Sequence, residues 1–155
     1  MKKLNHAQTQ KIKAFGLTIE DISKVEKSTG WCYAQNTRGS DIRFRVQKVS
    51  GKYELVIWLH SAPESLISIG VWVDRDKGEL QKLFNRKLGT WSPVGMTSDG
   101  YTNEGRNPGR GHVGDWNTDI SARSFMKNFA LIRKMVDEIE TKLTKTGLSA
   151  VLNNL

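Results

Sequence analysis

Apolar and polar residues alternate most persistently over residues 42–74, IRFRVQKVSGKYELVIWLHSAPESLISIGVWVD. A period of two is the signature of half-buried strands, and three of them follow one another here. The first join, Ser50-Gly51, fits a two-residue hairpin turn in which Gly accepts a positive φ, so Val49 is expected opposite Lys52. That register pairs Val46 with Leu55, Phe44 with Ile57 and Ile42 with Leu59 on an aliphatic face. The opposite face then pairs Arg45 with Val56, Arg43 with Trp58 and Asp41 with His60. Residues 61–65 form a polar loop with Pro63 at a turn position. Setting Leu59 against Ile67 keeps Ile67, Ile69, Val71 and Val73 on the aliphatic side and puts Ser68, Gly70 and Trp72 beside the arginines.

Upstream, Asn5 is placed to cap a short helix through Phe15, closed by Gly16. Thr18 with Asp21 three residues on resembles a capping box for a second helix, TIEDISKVEKST, that buries Ile19, Ile22 and Val25 and ends at Gly30. WCYAQNTR can be read as the recognition helix of a helix-turn-helix with the Ser50-Gly51 hairpin as its wing. Trp31, Cys32, Tyr33 and Thr37 instead favour a strand, and Arg38-Gly39-Ser40 a turn into Ile42. The preferred expectation is therefore a four-stranded antiparallel meander over 31–74.

Downstream, Asp76 and Glu79 resemble another capping box. The following helix, 76–89, carries Leu80, Leu83, Phe84 and Leu88 at helical spacing and ends at Gly89. Residues 90–120 have no sustained period, are rich in Gly, Asn and Asp, and contain Pro93 and Pro108. They read as a long loop with a short strand near 100–102. A long amphipathic helix is expected over 121–147, with Phe125, Phe129, Ile132, Val136, Ile139 and Leu143 in one stripe, then a short tail. The pattern predicts an α+β fold in one domain, 1–155: a helical N-terminal segment (1–30), a meander (31–74), a covering middle helix and a covering C-terminal helix.

Composition adds a direction. The 155 residues carry 24 Lys plus Arg against 16 Asp plus Glu, a formal charge of +8, which favours polyanionic partners such as nucleic acid. The excess is uneven, since residues 1–50 hold 10 basic and 4 acidic side chains while 51–100 are balanced. One cysteine, Cys32, excludes an intramolecular disulfide and a cysteine-based metal cluster, and reads as a small strand residue. No apolar leader and no membrane-length apolar run is seen, so a cytoplasmic location is expected.

Three chemistries suit these residues. The second sheet face sets Arg43 and Arg45 beside Trp58, His60 and Trp72, with Arg38 and Lys48 at the strand ends. Guanidinium groups neutralise phosphate and indoles stack on bases of single-stranded or distorted nucleic acid. Alternatively, Arg43 only stacks on Trp58 beneath the N-terminal helices. In the long loop, Arg106, Arg110 and His112 lie among glycines and suit a sugar-phosphate backbone; the competing view is a solvated connection. The second chemistry is a metal-dependent phosphodiesterase or nuclease. Asp99, Glu104, His112, Asp115 and Asp119 are possible ligands, and His112, Asp115 and Glu104 lead as catalytic residues, with His60 or His112 as acid or base. No spacing is diagnostic, and neither a metal nor a cofactor is expected. The third is an accessory or inhibitory subunit, of mobile-element or phage type, that binds a protein of a nucleoprotein complex through Trp91, Tyr101 and Trp116. The terminal helix also leaves a homodimer open. Non-catalytic nucleic-acid binding is the leading expectation.

Overall fold

The computed structural model describes residues 3–35, 41–49, 52–60, 62–98 and 111–155, without the side chains of Gln35, Gln47, Lys48 and Val49. Arg38, Asp99, Tyr101, Glu104, Arg106, Arg110, the Ser50-Gly51 turn and the side chain of Lys48 thus lie outside the described residues.

The chain opens with α1 (His6–Ala14) and α2 (Ile19–Thr29), and both begin as their sequences require. Asn5 and Gln8, then Thr18 and Asp21, exchange side-chain and backbone hydrogen bonds in closed capping boxes, which satisfies amides a helix start otherwise leaves unpaired. Gly30 stops α2 in the left-handed region, φ +78°. Residues 32–35 then form a strand, β1 (Cys32–Gln35), so a recognition helix there is ruled out. The meander continues as β2 (Ile42–Val49), β3 (Tyr53–Leu59) and β4 (Leu66–Val73), each antiparallel to the last.

The expected register holds from Ile42 opposite Leu59 to Arg45 opposite Val56, and then shifts. A bulge at Val46 sets Gln47 opposite Leu55 and Val49 opposite Tyr53, so the pairs Val46–Leu55 and Val49–Lys52 do not form. The extra residue in β2 is what moves Tyr53, in place of Lys52, opposite Val49. Between β3 and β4 the expected register is present from Tyr53 opposite Val73 to Trp58 opposite Ser68.

The sheet is wider than the meander. After α3 (Gly78–Leu88), residues read as loop contain β5 (Met96–Ser98) and the eleven-residue β6 (Gly111–Ser121), and the strand order is β1-β2-β3-β4-β6-β5. The helix expected from Ser121 starts later. Ala122 and Arg123 donate backbone hydrogen bonds to the carbonyls of Ser65 and Pro63, a 3₁₀ turn follows, and α4 runs over Phe129–Lys145. The tail forms α5 (Leu148–Asn153), with Leu148 and Leu152 buried. Asp76 does not build a capping box with Glu79; its carboxylate accepts from the amide of Gly78, two residues on, and Lys77 occupies the cap position.

A single apolar cluster joins the helices to one side of the sheet. It includes Ile12, Ile22, Val25, Phe84, Phe125, Ile132, Val136, Ile139 and Leu152 with Phe44, Ile57, Ile69 and Val71. Phe125 stacks on Phe44 at 5.1 Å between ring centres, and Trp31 meets Phe129 edge-on at 5.7 Å. Val56 and Trp58, though buried, are outside this cluster. The two N-terminal helices therefore join α3, α4 and α5 on the aliphatic face. Among the described residues no helix is long and apolar enough to cross a membrane.

Candidate functional site

The face turned away from the helices is ordered by strand register. One row across β2, β3, β4 and β6 reads Arg43, Trp58, Ser68, Asn117, and the next reads Arg45, Val56, Gly70, Asp115. A third row brings Glu54, Trp72 and His112 together. Asp41 and His60 stand just beyond the ladder ends, with Asp41 Oδ2 3.6 Å from His60 Nδ1. The sequence-predicted neighbours Arg43, Trp58, His60 and Trp72 therefore do share a face, and His112 reaches it through β6.

Trp58 is the hub. Gly70 leaves the room it needs: a Cβ there would lie 2.8 Å from the indole and 2.7 Å from the carbonyl of Gly114. The His112 ring packs on Trp58 with centres 4.2 Å apart, and the His60 ring lies nearly parallel to it at 6.5 Å. Trp58 is consequently only 4% exposed, whereas Trp72 on the neighbouring strand is half-buried. Of the two indoles, Trp72 is the one with surface to offer a flat ligand.

The charges are arranged unequally. Arg45 Nε lies 2.7 Å from Glu54 Oε1 but off the hydrogen-bond axis, so the contact is an ion pair rather than an aligned bond. Arg43 Nε is buried with no hydrogen-bond partner among the described residues. His112 is held neutral. Burial against Trp58, and secondarily the nearby Lys77 ammonium and His60, lower its pKa to about 4. At neutral pH it is an uncharged hydrogen-bonding ring rather than a phosphate-gripping cation. His60 Nε2 lies 2.6 Å from the hydroxyl of Ser68, which is 2% exposed.

Other sequence candidates are distributed differently. His112, Asp115 and Asp119 do not converge, and no group of three or more His, Cys, Asp or Glu side chains suited to a metal ion occurs among the described residues. Trp116 is fully buried against Trp91, its indole N–H 3.4 Å from the Trp91 carbonyl, so it packs the core and is no interface anchor. Asp41, Ser68 and Asn117 complete the site without having stood out as chemistry. Strand parity assigns Ser68 to this face and Asp41 beside His60, but β6, which brings Asn117, has an alternation too short and interrupted to reveal it. Comparison of the chain with protein-family models, curated proteins and solved structures finds no match.

Proposed function

We propose that this protein binds nucleic acid, in single-stranded or unstacked form, through the sheet face opposite its helices. The observation that carries the reading is the placement of every described helix on the aliphatic face, which leaves Arg43, Arg45, His60 and Trp72 on a face that no described helix covers. Arg43 supplies phosphate neutralisation, Trp72 a stacking surface, and Arg45 a cation tethered by Glu54. The overall +8 charge supplies the long-range attraction. Arg38, Lys48, Arg106 and Arg110 would extend the basic track. Binding of this kind requires no bond-making by the protein.

Fluorescence anisotropy with labelled single-stranded DNA and RNA, titrated from about 50 to about 200 mM salt, tests the reading. Arg43→Gln should lower the salt slope by about 0.7, one phosphate contact on a single strand. Trp72→Ala should weaken binding by about 1–3 kcal/mol and leave the slope unchanged, because stacking releases no counterion. Absence of wild-type binding at the lowest salt, or identical isotherms for both variants, overturns it.

A further inference from the structure

We infer that Asp41, His60 and Ser68 form a nucleophile-activating relay on the sheet face opposite the described helices, with Ser68 Oγ as the attacking atom toward a carboxylic ester or similarly activated acyl group. This inference does not rest on nucleic-acid binding. The three residues come from three segments: Asp41 precedes β2, His60 follows β3 and Ser68 lies within β4. Sheet register brings them into line, Asp41 Oδ2 to Nδ1 at 3.6 Å and Nε2 to Ser68 Oγ at 2.6 Å. A carboxylate beside Nδ1 favours the proton on that nitrogen, which leaves Nε2 to accept the Ser68 O–H. A buried serine that merely satisfies its hydroxyl needs one acceptor. A carboxylate 3.6 Å from the far nitrogen of that acceptor, in ion-pair range though outside hydrogen-bond range, is the added element such a relay needs.

Asn117 lies directly opposite Ser68 on β6, on the same face. A carboxamide at the position paired with the nucleophile is the type of donor that stabilises an oxyanion. The flanking groups favour a carbonyl over a phosphodiester as electrophile. Trp58 separates Arg43 from Ser68 along its row, and Arg45 is paired with Glu54, so neither guanidinium stands next to the hydroxyl. The His60 side chain is 38% exposed, while Ser68 is 2% exposed, so attack requires the His60 ring to move aside.

The reaction balances without a co-reactant other than water. Ser68 Oγ forms a bond to the acyl carbon as its proton passes to His60 Nε2. The tetrahedral oxyanion, held by Asn117, collapses with cleavage of the bond to the leaving alkoxide, which takes the proton from His60. Water, deprotonated by the same nitrogen, then attacks the acyl-serine, releasing the carboxylic acid and returning the proton to Ser68.

A fluorophosphonate probe and 4-nitrophenyl acetate test this on the full-length protein. Peptide mapping of the wild type should place one phosphonyl adduct on Ser68, a readout that needs no variant to fold. His60→Ala should slow labelling and ester turnover by about 10²-fold or more, and Asn117→Ala by a comparable factor in turnover. Asp41→Asn should slow labelling, and Asp41→Glu should restore part of it, which a purely structural Asp41 would not do. A wild type that is folded by circular dichroism yet carries no Ser68 adduct overturns the relay, as does equal labelling in a folded His60→Ala protein.

Discussion

His112 shows how one residue's setting becomes a property of the whole protein. Its folded pKa of about 4 lies below its ordinary 6.5, because burial on Trp58, then Lys77 and His60, disfavour its charge. A depressed histidine stabilises the fold at pH above 6.5. That contribution is lost as pH falls toward 4, since the unfolded chain takes up the proton first. The loss should be on the order of 2 kcal/mol, discounted for the ring's partial exposure, and should appear as a falling melting temperature across that window. His112→Phe keeps a ring on Trp58 and removes the proton site, so its melting temperature should be flatter over the same range. Gly70 makes a purely steric counterpart. The methyl of Gly70→Ala would meet the Gly114 carbonyl at 2.7 Å and Trp58 at 2.8 Å. Neither neighbour is the far end of a flexible side chain, so urea unfolding should show a loss of about 1–3 kcal/mol or more. It should also disturb Trp58 fluorescence.

At the scale of elements, local chemistry decides which parts of the fold are written in a short stretch of chain. Both N-terminal helices are legible because the capping residues and the stop glycine sit within a dozen positions of each other. Thr18→Ala, which removes the acceptor for the Asp21 amide, should cost about 1 kcal/mol in chemical unfolding. The meander is legible because its alternation is local and each hairpin carries its own register. β6 is not. It lies between β4 and β5, its alternation is broken by a shift opposite Val71 and Trp72, and Gly114 takes a core-facing position where a Cβ would lie a tight 3.2 Å from Phe84 and Trp116. A strand with glycine at an inward position reads as loop, since the crowding that favours the glycine comes in part from a helix thirty residues away. The start of α4 is hidden for a similar reason. Phe125 continues the apolar spacing of the helix, but Ala122 and Arg123 spend their amides on the carbonyls of Ser65 and Pro63. The candidate site divides the same way. Arg43 beside Trp58 and Asp41 beside His60 follow from one hairpin, whereas His112 on Trp58 and Asn117 beside Ser68 need β6 in place.

For the molecule as a whole, charge and architecture make separable predictions. A net +8 attracts any polyanion, and if that alone produced binding, every exposed cation would count alike. The fold puts Lys24 and Lys27 on α2, in the helical layer, and Arg43 and Arg45 on the opposite sheet face. Charges separated by the thickness of a helix and a sheet, about 10 Å each way, are screened from one another at physiological salt. Lys24→Gln/Lys27→Gln and Arg43→Gln/Arg45→Gln remove the same two charges, and the glutamine at 45 still has a donor for Glu54. Salt titrations of single-strand binding should then separate the pair. The sheet-face variant should lose roughly 1.4 from the slope, two single-strand contacts, while the helical-layer variant keeps a slope close to that of the wild type. Equal losses in the two proteins would reduce the interaction to unlocalised attraction and remove the sheet face from its role.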